Sequence, residues 1–163
     1  MSRYGEIAAW FRARPRAFRL LARLNRVLPL LFYYLYPLLL LQLAVRQDGG
    51  RFWRVLAVPA AAFLACTAIR HAFHAKRPYE TPGFEPLIRR EKTGDSFPSR
   101  HMTCAAVIAS AYGSVYPAAG AVLAVAALGI AVARVLAGIH FPRDVIAGGA
   151  LGLAFGIVGF GVL

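Results

Sequence analysis

The sequence predicts an all-α integral membrane protein, a bundle of five transmembrane helices preceded by an N-terminal amphipathic interfacial helix. Three observations predict it. Of 163 residues, 59% are hydrophobic, more than a soluble core of this size needs and enough to exclude disorder. The chain nevertheless holds 19 Lys and Arg against 7 Asp and Glu, a formal charge of +12. Those charges stand in blocks between long apolar runs, which points to a membrane-embedded chain and away from a nucleic-acid partner. Residues 1–26 form the interfacial helix in this reading, and residues 27–163 a single membrane domain.

The first 26 residues contain seven arginines. Arg12, Arg16, Arg19, Arg23 and Arg26 step by four and three along one helical stripe, while Phe18, Leu21, Leu24 and Leu28 recur on the other face. That pattern describes a helix lying in the headgroup layer with its arginines toward anionic lipid, and Pro15 is tolerated near its first turn. The arginines continue to Arg26 where a secretory signal would need an apolar centre and a cleavage site, so the segment is expected to remain in the mature protein.

Five spans follow, judged against the roughly 20 apolar residues that cross hydrocarbon. The first is expected at 27–45, with Pro29 and Pro37 inside it and a kink near Tyr33. A short turn, 46–51, leads to a second span at 52–71, with Arg54 snorkelling at its entrance and Pro59 as a bend. Residues 72–100 form a polar, ordered loop rich in proline and basic residues. From Met102 to Leu136 the only charge is Arg134, and the Tyr116-Pro117-Ala118-Ala119-Gly120 run divides the stretch into a third and a fourth span. The fifth begins at Asp144, and several of its glycines, Gly148, Gly149, Gly152, Gly156 and Gly159, recur at four-residue spacing, which favours close helix packing. Cys66 and Cys104 both lie in apolar stretches and support neither a disulfide framework nor a zinc site.

Five spans put the end of span two, the start of span three and the hinge between spans four and five on one side. The ionisable residues concentrate there. Arg70, Lys76 and Arg77 close span two, His101 opens span three, and Arg134, His140 and Asp144 bracket the last hinge. Ionisable groups at membrane depth are costly and read as functional when several segments converge on them. Arg70, Arg77 and Arg134 supply planar forks that satisfy several oxygens of one phosphate. One histidine can attack phosphorus while the other protonates the leaving alkoxide. Asp144, four residues after His140, is placed to accept an N–H from that ring and fix its tautomer. His71 and His74 have a spacing that would suit a metal, but no third ligand is evident, and an interfacial structural role is expected; no metal or other cofactor is predicted. Lys76, Arg89, Arg90 and Lys92 read as a basic rim that attracts anionic headgroups. Tyr33, Tyr34 and Tyr36 read as helix packing or an interfacial belt.

These residues resemble the type 2 phosphatidic acid phosphatase family, which shares its catalytic core with vanadium haloperoxidases. The family's Lys-x6-Arg-Pro is similar to Arg70-x6-Arg77-Pro78, its Pro-Ser-Gly-His to Pro98-Ser99-Arg100-His101, and its Ser-Arg-x5-His-x3-Asp to Ala133-Arg134-x5-His140-x3-Asp144. The resemblance runs from Arg70 to the C-terminus. It implies His140 as a nucleophile that becomes phosphohistidine, Asp144 as its partner and His101 as general acid. Arg70, Arg77, Arg134 and the Ser99 hydroxyl or backbone amide would hold the phosphate, and no metal is implied. The implied substrates are lipid phosphates or polyprenyl pyrophosphates that enter from the membrane. Three positions depart from the pattern. Arg70 replaces a Lys and changes a point donor into a fork. Ala133 lacks a serine hydroxyl. Arg100 replaces a Gly and adds a cation beside His101, to bind a second anionic group of the substrate or to pair with Glu80, Glu85 or a lipid phosphate.

The sequence therefore predicts a metal-independent phosphatase acting on an anionic lipid phosphate. Its alternatives are a phosphotransferase, in which an alcohol replaces water, and a non-catalytic lipid-phosphate binding protein, which would have no need of the two histidines and Asp144. Sidedness is read two ways. Sixteen of the 19 basic residues lie on the site's side and three on the other, which places the site in the cytoplasm by the positive-inside rule. The resemblance implies a site on the outer face, usually with six spans.

Overall fold

The computed structural model describes residues 3–88 and 93–161. Among them are six α-helices and one 3₁₀ turn, with no strand: α1 (Arg3–Arg12), α2 (Pro15–Val45), α3 (Gly49–Phe73), the turn Pro78–Glu80, α4 (Arg100–Val115), α5 (Pro117–Leu136) and α6 (Pro142–Phe160). Four helices, α2, α3, α5 and α6, are long and apolar enough to cross a membrane. α4 has 16 residues, about 24 Å at 1.5 Å per residue, and falls short of the span length that the sequence reading gave it. Half of its residues are buried, and it packs against α3, α5 and α6. It is the inner helix of the bundle.

The N-terminal boundary differs from the sequence expectation. The helix breaks at Ala13-Arg14, where Pro15 opens α2 at its first turn, and then runs unbroken for 31 residues through position 26. At about 46 Å, α2 is longer than the roughly 30 Å hydrocarbon core. Pro29 and Pro37 lie inside it without ending it. Arg16, Arg19, Arg23 and Arg26 are exposed as the stripe predicts. Leu24 is exposed too, and Asn25 takes the buried place beside Leu21.

α1 packs against α2 and the end of α5. Tyr4 stacks on Phe84, its hydroxyl accepts from the Leu87 amide at 3.1 Å and donates to the Leu136 carbonyl at 3.4 Å. Arg12 pairs with Glu85 at 3.1 Å. The N-terminal segment thus holds the loop after the 3₁₀ turn against the end of α5.

Close approach of α4 and α6 builds the floor of the site. A Cβ added at Gly148 would stand 2.5 Å from the Ser99 carbonyl oxygen, one at Gly152 would meet the Thr103 carbonyl oxygen, and one at Gly156 would meet the Ser110 side chain. The small-residue stripe is what lets the two backbones touch, and the Ser99 amide donates to the Asp144 carbonyl at 2.8 Å. Gly148→Ala is expected to cost about 1–3 kcal/mol through overpacking. Gly149→Ala serves as the control, because its Cβ would meet the Met102 side chain at an ordinary 3.4 Å. Thermal unfolding in detergent distinguishes the two.

Candidate active site

Three loop-to-helix junctions bring the site together, and each has a local cause. α3 ends with His74 in a left-handed conformation, φ 40°. Three residues later Arg77 is held extended by the following proline, φ −87° and ψ 161°. Its backbone amide donates to Glu80 Oε2 at 2.7 Å, that oxygen also accepts from the Gly94 amide at 2.9 Å, and Arg77 Nε donates to the Gly94 carbonyl at 3.0 Å. Glu80 therefore clamps both ends of the long loop, leaving the far side of the Arg77 guanidinium directed toward the pocket that it lines.

At the second junction Ser99 stands at the N-cap position of α4 without a side-chain capping bond, following the cis Phe97–Pro98 peptide. Arg70, 3% exposed, donates from a terminal guanidinium nitrogen to the Pro98 carbonyl at 2.8 Å, which ties the end of α3 to the start of α4. At the third, Gly138 adopts φ 74° and closes α5, with the Gly138 amide donating to Val135 and the Ile139 amide to Arg134. A left-handed glycine is the usual way to stop a helix and reverse the chain. It is the physical content of the five-residue gap between Arg134 and His140.

The result is a pocket of about 160 Å³ lined by Arg70, Arg77, Tyr79, Arg100, His101, Arg134, Ile139 and His140. Four guanidinium groups and two imidazoles line it and no carboxylate does, so it suits a multiply charged anion. His140 is buried and His101 exposed. Ser99 is fully buried, and its hydroxyl has no hydrogen-bond partner among the described residues. Of the two Ser99 groups considered from sequence, the amide is committed to Asp144 and only the hydroxyl remains.

Behind the pocket, His140 Nδ1 stands 3.5 Å from Asp144 Oδ2 and 3.3 Å from Ser96 Oγ. The Ser96 hydroxyl donates to the same Asp144 oxygen at 2.5 Å, and the Phe141 amide reaches it at 3.0 Å. Because the Ser96 proton goes to Asp144, Ser96 can only accept from His140. Nδ1 is then the protonated nitrogen, and Nε2 carries the lone pair. Burial, and then the positive charge of Arg77 and Arg134, hold the His140 pKa below its ordinary 6.5 against the opposing pull of Asp144. Ser96 was missed by sequence reasoning, since a loop serine three residues before Ser99 carries no spacing signal. Tyr79 was missed as well.

Other expectations meet the structure less directly. Lys76 is exposed and does not line the pocket. Arg89, Arg90 and Lys92 lie outside the described residues. Arg100 pairs with neither proposed carboxylate, because Glu80 clamps the loop and Glu85 holds Arg12. Its guanidinium lies over the Phe63 ring at 5.0 Å instead. His74 pairs with Asp95 at 3.4 Å, and no metal-holding cluster is present among the described residues.

From Arg100 and His101 a mostly apolar groove of about 670 Å³ runs between α2, α3 and α4, past Phe32, Tyr36, Pro59, Phe63 and Leu64.

The fold is similar to that of Aquifex aeolicus LpxE, with a TM-score of 0.64 at 22% identity over 88% of this chain and 94% of that one. It is also similar to a transmembrane PAP2 type phosphatidylglycerolphosphate phosphatase from Bacillus subtilis, with a TM-score of 0.58 at 25% identity over 97% of this chain and 90% of that one. No curated protein sequence matches. The sequence pattern of the PAP2 superfamily matches residues 51–162, from the entrance of α3 beyond the end of α6 and well over half of the chain, and the chain belongs to that superfamily.

Proposed function

We propose that the protein is a metal-independent membrane phosphatase that removes phosphate from a lipid phosphate or polyprenyl pyrophosphate through a phosphohistidine on His140. The observation that carries this reading is the Ser96-Asp144 arrangement, which holds Nδ1 protonated and leaves Nε2 as a nucleophile beside a pocket of arginines. In this mechanism Nε2 attacks phosphorus while His101 gives its proton to the departing oxygen. Water then attacks the phosphohistidine, His101 takes its proton back, and inorganic phosphate leaves. Arg70, Arg77, Arg134 and the Ser99 hydroxyl hold the equatorial oxygens, where charge grows in the transition state. Arg100 stands where the pocket meets the groove and takes a second anionic group where the substrate has one. The groove receives the tail.

In the same reading α4 is the third of five spans, enclosed by its neighbours with its polar start at the interface, and residues 1–26 are the basic interfacial segment. α1 contacts the active-site end, so the N-terminal arginines and the pocket share one side, and the positive-inside rule makes it cytoplasmic.

Phosphate release from a panel of lipid phosphates in EDTA tests the activity. Release without added metal is expected, with water as acceptor, and a phosphorylated alcohol among the products would establish the transferase instead. A short-chain lipid phosphate given to inverted vesicles should be hydrolysed, while intact cells leave it untouched. The reverse pattern places the site outside.

A further inference from the structure

Apart from the core of the bundle, the protein has a second, smaller apolar cluster. It gathers Ala8 of α1, Leu21 of α2, Leu87 of the long loop and Ala133 of α5, with Tyr4 packed against it. Ala133 immediately precedes Arg134 and stands where the family's motif carries a serine. It is 2% exposed, and its methyl group serves this cluster. The match to the superfamily begins at residue 51, so the members of the cluster from α1 and α2 lie outside it. Four separate stretches of chain are thereby packed around the residue next to a phosphate-binding arginine.

Tyr4 is the polar link in that packing. Its ring stacks on Phe84 with centroids 4.3 Å apart, and its hydroxyl joins the Leu87 amide, at 3.1 Å, to the Leu136 carbonyl, at 3.4 Å. Leu136 ends α5, and the last four carbonyls of a helix have no amide of their own helix to meet. The hydroxyl also lies against Gly138: a Cβ built there would overlap it and press on the Phe84 ring. Gly138 is thus required twice, by its φ of 74° and by the neighbour on its open side. One residue along the loop, the Ile88 amide donates to the Ala137 carbonyl at 3.3 Å. The turn itself is closed, because the Ile139 and His140 amides both donate to the Arg134 carbonyl, at 3.1 and 3.4 Å. A closed turn moves as a unit, so what holds Leu136 and Gly138 on the outside places His140 on the inside.

We propose that Tyr4 is a positioning residue for the reaction: its hydroxyl sets the turn that carries Arg134 and His140, and α1 is the strap that holds it there. The proposal rests on the phosphatase reading, since its consequence is the placement of His140 Nε2 in front of phosphorus. Tyr4 itself does not line the phosphate pocket. It acts through the backbone of the turn. A nucleophile must stand in line and within contact distance of the atom it attacks, and a displacement of about 1 Å that originates far from the chemistry can cost a hundredfold in rate.

Tyr4→Phe tests this, because it keeps the ring on Phe84 and removes only the hydroxyl. The measurement is a single turnover of a ³²P-labelled lipid phosphate that wild type hydrolyses, with the full-length protein in saturating excess. The rate constant for phosphate release is expected to fall about tenfold, with the substrate still consumed to completion. A merely structural role reads differently. It shrinks the active fraction, which an excess of enzyme absorbs, and leaves the rate constant at its wild-type value. Elution as a single species in detergent establishes that the variant is folded, and Phe84→Leu, which removes the ring that Tyr4 stacks on, replaces it if it is not, with the same fall expected. An unchanged rate constant, with or without a smaller active fraction, overturns the proposal while leaving the phosphatase reading in place. Failure of wild type on every lipid phosphate overturns the phosphatase reading itself.

Discussion

If His140 is the nucleophile as proposed, His140→Ala is expected to lower phosphate release by about 10⁴-fold or more, leaving only the binding and charge stabilisation of the arginine cluster. The fold should survive. His140 lies on the loop between α5 and α6, outside the apolar core formed by residues such as Leu39, Val55, Val107 and Ile130. Its loss strips a partner from Ser96 but leaves the Ser96 and Phe141 hydrogen bonds to Asp144 in place. The covalent step has its own readout. Wild type quenched in alkali during turnover of ³²P-labelled lipid should carry an acid-labile, alkali-stable phosphate, and the variant should carry none. Normal turnover in a folded His140→Ala protein would sink the mechanism, and turnover without labelling would redirect it to direct attack by water.

The parts of this site that were legible in the sequence are those in which spacing along one helix or turn fixes geometry. Arg134, Gly138, His140 and Asp144 fall within eleven residues, and a helix end, a left-handed glycine and a new helix leave them little freedom. The apolar runs that became α2, α3, α5 and α6 were legible for the same reason, since crossing hydrocarbon imposes a length on each. Ser96 was not. It reaches Asp144 across 48 positions through the path of the long loop, which depends on Glu80 binding Arg77 and Gly94 together. Asn25 was hidden differently. Within an arginine stripe on an amphipathic pattern, a single polar residue reads as part of the solvated face, and only the packing of α2 against the bundle turns it inward. The helix break at Ala13-Arg14 escaped because the arginine periodicity continues across it, and periodicity reports a face without reporting where the backbone is interrupted.

Asp144→Asn should lower kcat by about 10³- to 10⁴-fold while nearly preserving the shape of the site. The substituted amide oxygen can still accept from the Phe141 amide, so the first turn of α6 keeps its cap. What disappears is the negative charge behind the imidazole as Nε2 bonds to phosphorus and the ring becomes cationic. The pH profile separates this loss from simple damage. In the proposed mechanism the nucleophile is the neutral ring, so activity is expected above the His140 pKa and is lost as pH falls through it. Burial, Arg77 and Arg134 already hold that pKa below 6.5, with Asp144 as the opposing influence. Wild-type kcat/KM, corrected for ionisation of the substrate, should therefore hold down to a pH below 6.5 before it declines. With Asp144 neutralised, the arginines act unopposed and the acid limb moves to still lower pH, even as the plateau drops. A disordered loop would lower the plateau and leave the limb where it was, and a limb that moved upward would mean that the titrating group is not His140. Ser96→Ala lies between these cases: the carboxylate remains, but Nδ1 loses the oxygen 3.3 Å away that orients it. A smaller loss, about tenfold, with the limb close to its wild-type position is the expected result for a residue that positions the nucleophile through one neutral hydrogen bond.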